Sequence, residues 1–485
     1  MPDFDLLVVG GGPGGYAAAI RAAQRGLRVG LVEKERPGGV CLNWGCIPTK
    51  AMLRSAEVFQ TLQNAADLGV HADNVRFDFA AVRQRKDGIV KELTDGVAGL
   101  LKANGVTVIE GHARFTGPTT VEVFEAGQSP IFPGGPRYAA APTATALRTI
   151  SATDVIIATG SVPAVLPVPG ADLPGVVTSD GAFGLTEVPG RLVVIGGSAV
   201  GAEWASLFAT FGSAVTVVEM QDRLVPLEDK EIGVALGRSF GKRGITVLTG
   251  STVTGIAQAN GALRVSVGGP QACELDADVV LVGVGRRPNT ADLGLAAAGI
   301  GTDERGFILV DEKLRTGTEH VNAIGDVTGK ALLAHVASHQ GLTAADVIAG
   351  HDAHIDYAVI PAATFTHPEI ASVGLTEDAA RAAGHEAITA KFPFAALGRA
   401  KSFGDTEGFL KIVAGARHQE VLGVHIIGPS ASDLITEGAL AISLEATLDE
   451  LADTIHAHPT LGEIGMEAAL TGLGLPVHIA PPRKR

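Results

Sequence analysis

Two segments of the chain repeat one pattern of apolar and polar positions. Each begins with a short run of β-branched and other apolar residues, passes through a glycine-rich turn into an alanine-rich stretch, and ends in a second apolar run closed by glutamate. The two segments are residues 5–34 and 191–220. A strand, a turn, a helix and a strand in this order predict two βαβ units with parallel sheets.

The pattern outside these units predicts further elements. Residues 126–149 are rich in Ala, Pro, Gly and Thr with few charges, which predicts an extended loop. From about residue 356, strand-like and helix-like stretches alternate without a nucleotide-binding motif, which indicates a separate α+β domain. The remaining predictions are helices over 47–63 and 82–102 and strands over 106–125, 154–161, 277–290 and 321–329.

The expected fold class is α/β, with two Rossmann-like dinucleotide-binding domains and a C-terminal α+β domain. The length of 485 residues agrees with about three domains at roughly 100–200 residues each. We expect the first nucleotide-binding domain over 1–165, the second over 166–285, a return to the first over 286–355, and the C-terminal domain over 356–485.

Composition narrows the class of protein. Lys and Arg number 38 against 52 Asp and Glu, a net charge of −14, which argues against a nucleic-acid-binding protein. No apolar run reaches the ~18–20 residues that span a bilayer, and the first residues lack the basic segment of a signal peptide. We therefore expect a cytoplasmic protein without a membrane contact. Three cysteines fit a reducing compartment with at most one special pair.

The first glycine-rich turn predicts a dinucleotide site. Gly10, Gly12 and Gly15 form a GxGxxG pattern that follows a strand and opens a helix. Glycines permit the tight turn and let the backbone approach a pyrophosphate, which the helix N-terminus stabilises. Glu33, at the end of the next strand, is placed to accept a hydrogen bond from a ribose hydroxyl.

The second turn repeats the pattern with one change. Gly196 and Gly201 keep the outer positions, and Ser198 stands at the middle one, where its Cβ could crowd a pyrophosphate. Glu219 closes the following strand, favours a free 2′-hydroxyl and repels a 2′-phosphate, so we expect NAD rather than NADP. The alternative for Glu219 is a solvated strand end.

Cys41 and Cys46 lie in the stretch GVCLNWGCIPTK, residues 39–50. Five residues of regular helix rise about 7.5 Å, too far for a disulfide, so a bridge needs the bend that Asn43 and Gly45 permit. Zinc prefers four ligands, and only Cys273 remains, so we expect no metal site. The pair favours redox chemistry, with two unrelated buried cysteines as the alternative. We expect Cys273 to be an inert core thiol.

The cysteine stretch CLNWGCIPTK, together with GGGPGG near the N-terminus, resembles the pyridine nucleotide–disulfide oxidoreductases. Later stretches resemble in particular the dihydrolipoyl dehydrogenases of that family, and apart from the loop 126–149 the resemblance covers nearly the whole chain. These stretches are HPEIASVGLTE (367–377), RAKSFGDTEGFLKIV (399–413), LGVHIIGP (422–429) and TIHAHPTLGE (454–463).

The resemblance implies FAD in the first nucleotide site, NAD in the second, and a redox-active Cys41–Cys46 disulfide. It also implies a C-terminal dimerisation domain. Family members usually carry more acidic residues in the helix after the flavin-binding aspartate, where this chain has Ser338, His339 and Gln340. The cofactor-contacting positions that it implies are Lys50 with its partner Glu203, Gly111, His112, Ala113, Ala158, Thr159, Gly160, Asp326 and Gly285.

His458 and Glu463 match the acid–base pair of the family. A histidine can take a thiol proton near neutral pH, and a carboxylate on its other ring nitrogen fixes the tautomer. Pro459 biases His458 away from helix and could project it from a turn. The resemblance implies a homodimer in which His458 serves Cys41 of the partner subunit, while His456 is expected to be structural.

The implied reaction is oxidation of dihydrolipoamide, carried on a lipoyl domain, with reduction of NAD⁺. The implied partners are components of a 2-oxo acid dehydrogenase or glycine-cleavage complex. Two alternatives stay open. One is a related flavoprotein reductase with another disulfide substrate, although nothing after Cys273 is cysteine and Glu219 disfavours NADP. The other is a docking subunit of a multienzyme complex, against which the set Cys41, Cys46, His458 and Glu463 argues.

Overall fold

A computed structural model of the chain describes residues 1–126, 145–259 and 261–480. None of the helices in these ranges is both long enough and apolar enough to cross a membrane. The first part of the chain contains strands β1 (Phe4–Val9), β2 (Val29–Glu33), β3 (Thr107–Glu110), β4 (His112–Gly117), β5 (Thr120–Phe124), β6 (Arg148–Ile157) and β7 (Ser161–Pro163), and helices α1 (Pro13–Gln24), α2 (Gly39–Trp44), α3 (Cys46–Gln63) and α4 (Phe79–Ala103).

The second part carries the repeated βαβ unit and the return to the first sheet. Its strands are β8 (Val176–Thr178), β9 (Arg191–Ile195), β10 (Ala214–Val218), β11 (Thr246–Leu248), β12 (Thr252–Ala259), β13 (Ala262–Gly268), β14 (Cys273–Ala277), β15 (Val279–Val282), β16 (Arg286–Pro288) and β17 (Val321–Ala323), and its helices are α5 (Ala199–Thr210), α6 (Lys230–Lys242) and α7 (Ala334–Ile348).

The C-terminal part alternates strands and helices. It contains strands β18 (Ala362–Thr364), β19 (Glu369–Gly374), β20 (Ala387–Pro393), β21 (Phe409–Gly415) and β22 (Val421–Gly428), and helices α8 (Glu377–Ala382), α9 (Gly398–Phe403), α10 (Ala431–Ser443), α11 (Leu448–Asp453) and α12 (Glu463–Gly472).

The strands of each βαβ unit pair in parallel, as expected, but the first sheet is mixed because β5 pairs antiparallel with β6 and β4 pairs antiparallel with β5. In the first sheet β1 pairs in parallel with both β2 and β6, and β17 returns to pair with β6. In the second sheet the strands follow the order β11-β10-β9-β15-β8. The strands β7 and β16 pair between the two units as a two-stranded ribbon. Parallel strands place their carboxyl ends on one edge, where nucleotides bind in such folds.

The C-terminal part is a five-stranded antiparallel sheet in the order β18-β19-β22-β21-β20. Helices α10 and α12 pack on it through one apolar cluster, which includes Phe392, Ile412, Ile435 and Ile464. The α+β prediction for this region is therefore confirmed.

Several predicted boundaries need correction. The helix expected from residue 82 begins at Phe79, because the side chain of Asp78 accepts a hydrogen bond from Ala81 N–H and caps it. The strand expected over 321–329 ends at Ala323, and Gly325–Thr328 forms a 3₁₀ turn. Of the predicted loop 126–149, residues 127–144 lie outside the described residues, and β6 already begins at Arg148.

Candidate active site

The first glycine-rich turn is shaped by close contacts between backbone atoms. Gly10 has a φ of +104°, and a Cβ there would lie 2.4 Å from the carbonyl oxygen of Ala158. A Cβ on Gly15 would lie 1.9 Å from the oxygen of Gly10. Gly12 stands at the N-terminus of α1 with an extended backbone. Glycine is therefore required at positions 10 and 15 for the turn itself.

The second turn repeats this construction. Gly196 has a φ of +99°, and a Cβ on Gly201 would lie 1.9 Å from the oxygen of Gly196. Ser198 has φ −71° and ψ −178°, nearly the values of Gly12, −68° and −176°. Because this conformation is open to any residue, the backbone accepts the serine without strain. Gly285, at φ +107°, follows β15 on the same side of the sheet.

Glu33 and Glu219 hold the two turns in the same way. Glu33 accepts hydrogen bonds from Gly11 N–H at 2.6 Å and from Glu35 N–H at 2.8 Å. Glu219 accepts from the N–H groups of Gly197 and Gln221 at 2.5 and 2.7 Å. Burial raises the pKa of Glu33 above its ordinary value, against these backbone hydrogen bonds. The alternative for Glu219, a solvated strand end, is wrong because Glu219 is only 6% exposed.

One large cavity joins most of the residues predicted to bind the first cofactor. Its volume is about 710 Å³, and it lies between the first nucleotide unit, the thiol segment and the start of the C-terminal domain. The wall of this cavity does not include the residues predicted for the second cofactor, which are Gly196, Ser198, Gly201, Glu219 and Gly285. The predicted residues that line it are Gly10, Gly12, Glu33, Cys41, Cys46, Lys50, Gly111, His112, Ala113, Ala158, Thr159, Gly160, Glu203 and Asp326.

The chain bends between the two cysteines, as a bridge requires. Helix α2 ends at Trp44, Gly45 breaks the helix with φ −137° and ψ −109°, and α3 begins at Cys46. Both cysteines are half-buried free thiols, and their side chains are hydrogen-bonded to each other. That hydrogen bond raises the pKa of Cys41 and lowers the pKa of Cys46, which Lys50 lowers further. The thiolate of the pair therefore belongs on Cys46.

Lys50 and Glu203 form the ion pair that the resemblance implies. Lys50 Nζ lies 2.8 Å from both carboxylate oxygens of Glu203, whose side chain is 8% exposed. Lys50 belongs to α3 and Glu203 to α5, so the pair joins the thiol helix to the second nucleotide unit.

Asp326 is held by residues that sequence reasoning missed. Ser161 Oγ donates to Asp326 Oδ2 at 2.5 Å, and Arg286 Nε donates to the same Ser161 Oγ at 2.7 Å. Burial raises the pKa of Asp326, although the Ser161 hydrogen bond and the Arg286 charge oppose this. Ser161 and Arg286 lie on the ribbon of β7 and β16. The stretch GRRP, residues 285–288, follows β15 and is the feature of the sequence that could have indicated Arg286.

Gln340, one of the positions at which the chain departs from the family pattern, has a structural role. Its side chain is fully buried in α7. Its Oε1 accepts from Gly325 N–H at 2.5 Å, and its Nε2 donates to Tyr357 Oη at 2.7 Å. Gly325 has a φ of +71° and immediately precedes Asp326. Gln340 therefore fixes the turn that presents Asp326 to the cavity.

The cavity wall fits a flavin dinucleotide. His112 Nε2 and Thr159 Oγ1 are buried, line the cavity and have no hydrogen-bond partner within the described ranges. Buried polar atoms require partners, so these two are suited to a polar ligand. Gly10 and Gly12 leave the start of α1 open on the same wall. No group of three or more His, Cys, Asp or Glu side chains in residues 1–126, 145–259 and 261–480 is arranged to hold a metal.

His458 and Glu463 lie outside this cavity and contact each other. His458 Nδ1 lies 2.8 Å from Glu463 Oε1, and Thr460 N–H donates to Glu463 Oε2 at 2.8 Å. The His458 side chain is 78% exposed, which leaves Nε2 open to an incoming group. His456, by contrast, has oxygens 2.8 Å from both ring nitrogens, from Thr454 and Glu437. Both ring nitrogens of His456 are therefore already engaged within the chain.

The prediction for Cys273 is wrong. Cys273 is exposed rather than buried in a core. It begins β14, the outer strand of the sheet β12-β13-β14. The first two residues of β14, Cys273 and Glu274, are both exposed, so the apolar core does not reach this end of the strand.

Comparison with known proteins agrees with this geometry. The family described as pyridine nucleotide-disulphide oxidoreductase matches residues 4–341, and its dimerisation domain matches residues 360–469. The chain is 42% identical over 483 residues to the dihydrolipoyl dehydrogenase of Chlamydia muridarum and 44% identical over 479 residues to that of Geobacillus stearothermophilus. These alignments cover 99% and 98% of both chains, respectively.

Solved structures give the same result. LpdA from Mycobacterium tuberculosis superposes with a TM-score of 0.85 at 28% identity, over 96% of this chain and 98% of that one. The HOCl-induced flavoprotein disulfide reductase RclA from Escherichia coli superposes with a TM-score of 0.83 at 28% identity, over 96% and 99%. The chain belongs to the pyridine nucleotide-disulphide oxidoreductase family, which uses FAD and NAD, and it carries the dimerisation domain of that family.

Proposed function

We propose that the chain is an NAD-dependent dihydrolipoyl dehydrogenase, which oxidises dihydrolipoamide and reduces NAD⁺ through Cys41 and Cys46. The observation that carries this proposal is the thiol pair in the wall of the large cavity, with the Lys50–Glu203 ion pair beside it. The full-length likeness to curated dihydrolipoyl dehydrogenases supports the choice of substrate.

The exchange begins when His458 Nε2 takes a proton from one thiol of the substrate. The resulting thiolate attacks Cys41 Sγ of the Cys41–Cys46 disulfide, the S–S bond breaks, and Cys46 leaves as a thiolate. The second substrate thiol then attacks the substrate sulfur of the mixed disulfide, the bond from that sulfur to Cys41 Sγ breaks, and the thiol proton passes to Cys41 as it leaves. This step closes the lipoamide ring and leaves both cysteines reduced by two electrons in total. Lys50 stabilises the Cys46 thiolate during these steps.

FAD and NAD, when bound, supply the two-electron transfer that reoxidises the thiol pair and forms NADH. We assign the first cofactor to residues 1–165 and 286–355 and the second to residues 166–285. The FAD-binding positions are Gly10, Gly12, Gly15, Glu33, Lys50, Gly111, His112, Ala113, Ala158, Thr159, Gly160, Glu203 and Asp326. The NAD-binding positions are Gly196, Ser198, Gly201, Glu219 and Gly285.

The active site is shared across a dimer in this proposal. His458 is exposed and lies outside the cavity that holds Cys41 of the same chain. A two-fold dimer through residues 356–485 would bring His458 to Cys41 of the partner subunit. The substrate is then a lipoyl group on the carrier domain of a cytoplasmic 2-oxo acid dehydrogenase or glycine-cleavage complex.

The test is NADH formation from dihydrolipoamide and NAD⁺ by the purified, FAD-loaded protein. We expect rapid NAD⁺ reduction that is lost in Cys41→Ser and retained in the matched control Cys273→Ser. NADP⁺ should be a poor acceptor because Glu219 stands at the end of β10. If the protein holds FAD but ignores dihydrolipoamide, the substrate belongs to another class of disulfide and this proposal is wrong.

A further inference from the structure

The ammonium group of Lys50 contacts a ring as well as a carboxylate. Lys50 Nζ lies 4.5 Å from the centroid of the Phe365 ring. A cation within about 6 Å of an aromatic face is attracted by the electron density of the ring. Lys50 and Phe365 both line the large cavity, and Phe365 lies in the turn between β18 and β19.

Phe365 also touches the other member of the ion pair. Its backbone N–H donates to Glu203 Oε1 at 2.9 Å, the same oxygen that accepts from Lys50 at 2.8 Å. One residue therefore orients the carboxylate through its backbone and restrains the ammonium through its ring. The Lys50 side chain is 31% exposed, so without the ring it has room to turn away from its present position.

The position of this ammonium matters for Cys46. Cys46 and Lys50 are four residues apart on α3 and so share one face of the helix. The groups that act on Cys46 are the Cys41 thiol from α2, Lys50 from its own helix and Glu203 from α5. Tyr16 of α1 interacts electrostatically with Cys41. Lys50 is the single cation of this set.

We propose that Phe365 is a positioning residue, whose ring holds the Lys50 ammonium where it stabilises the Cys46 thiolate. The contact thereby sets how reactive the sulfur of Cys46 is. The inference deepens the proposed function and rests on it only for the role of Cys46 as the sulfur that leaves as a thiolate when the disulfide is broken.

The experiment follows the alkylation of Cys46 alone. A Cys41→Ser, Cys273→Ser background leaves Cys46 as the single thiol of the chain, because the sequence has three cysteines. The rate of reaction with iodoacetamide is measured from pH 5 to 10 in the purified full-length protein, since the thiolate is the reactive form. We expect Phe365→Leu to raise the midpoint by about 0.5 pH unit, which slows alkylation about threefold below the midpoint.

Three further variants separate positioning from packing. Phe365→Tyr keeps an aromatic face and should keep the original midpoint. Phe409→Leu removes a matched contact elsewhere, since Lys391 Nζ lies 5.0 Å from the Phe409 centroid, and should also leave the midpoint unchanged. In a Lys50→Met background, whose midpoint is already raised, Phe365→Leu should add no further shift.

Either of two results would overturn the proposal. One is an unchanged midpoint in Phe365→Leu when its circular dichroism and thermal unfolding show a folded protein. The other is an equal shift in the presence and absence of Lys50, because the ring would then act through general packing. Alkylation does not require lipoamide turnover, so failure of the substrate assignment and failure of this proposal are distinguishable.

Discussion

His458 Nδ1 lies 2.8 Å from Glu463 Oε1, on a histidine whose side chain is 78% exposed. The carboxylate fixes one ring nitrogen and leaves the other open to a substrate thiol. The pKa of Glu463 is held below its ordinary value by hydrogen bonds from His458 and Thr460, although burial opposes this. The pair thus has the geometry of a general base with its orienting group.

Substitution at this pair should reduce turnover without loss of the cofactor. We expect His458→Gln to lower kcat/KM for dihydrolipoamide by about 10²–10⁴-fold, the scale of general base catalysis. Glu463→Gln should cost about 10- to 100-fold, since an amide replaces one of two carboxylate acceptors. Steady-state kinetics provide the measurement, and exposed His418→Gln is the control. Near-normal kcat/KM in His458→Gln would contradict the assigned role.

A methyl group at Gly201 should damage the second nucleotide site. Its Cβ would lie 1.9 Å from the Gly196 oxygen, so the turn must shift. We expect Gly201→Ala to destabilise the protein by about 1–3 kcal/mol and to raise the KM for NAD⁺ at least about tenfold.

The matched control is Gly237→Ala, in the interior of α6, where a Cβ meets no heavy atom within 4 Å. This change should leave NAD⁺ kinetics unchanged and raise the unfolding temperature slightly. Thermal unfolding and NAD⁺ titration provide both readouts. Equal KM values for NAD⁺ in the two variants would refute the close-packing argument.

Removal of the Gln340 side-chain amide should weaken the binding of FAD. Gln340→Leu leaves the buried Gly325 N–H without its acceptor, a loss of about 1–3 kcal/mol. We expect FAD to dissociate at least about tenfold faster, as measured by the recovery of flavin fluorescence. Gln340→Glu keeps the acceptor and should retain FAD more firmly than the leucine variant. The opposite order would show that the turn does not depend on this hydrogen bond.

The buried Lys411 should make the packing of α6 on the C-terminal sheet sensitive to acid. Its Nζ lies 3.1 Å from Asp229, 3.0 Å from Glu231 and 2.8 Å from Glu377, with the lysine side chain 2% exposed. Burial opposes ionisation of Asp229 and Glu231, yet hydrogen bonds to backbone or lysine groups keep both pKa values below the ordinary 3.8 and 4.5.

Carboxyls with lowered pKa values stabilise the fold above their unfolded-state pKa, and this contribution is lost as the pH falls through the folded-state pKa. The stabilisation that Lys411 and its carboxylates provide, measured by urea unfolding, should therefore stay level from pH 7 to about 5 and fall below about pH 4. Lys411→Met should cost about 3–5 kcal/mol near neutrality, because it leaves the buried carboxylate of Asp229 without a cation, whereas Glu231 and Glu377 keep Lys391 and Arg381. The difference from wild type should shrink on acidification, and a constant difference would contradict this account.

Local patterns were sufficient to predict the two nucleotide turns. Each turn depends on close backbone contacts made within a single βαβ unit, by Gly10 and Gly15 in the first and by Gly196 and Gly201 in the second. The spacing of these glycines is therefore sufficient to predict the turns. The bend between Cys41 and Cys46 was also predictable, because Gly45 stands at the break.

Contacts between distant segments could not be predicted from such patterns. Ser161 and Asp326 are 165 positions apart, and only the pairing of β7 with β16 and of β6 with β17 brings them together. Burial of Cys273 is expected because thiols are commonly buried, whereas the structure places it at the exposed beginning of β14, beyond the part of the strand that reaches the core.

The central claim is that electrons pass from the substrate into Cys41 and Cys46. The most direct test incubates the oxidised enzyme with dihydrolipoamide, without oxygen or NAD⁺, and then labels thiols and maps the peptides. The account predicts new labelling at Cys41 and Cys46, unchanged labelling at exposed Cys273, and formation of lipoamide in proportion. Substrate oxidation without new labelling at these two cysteines would contradict it.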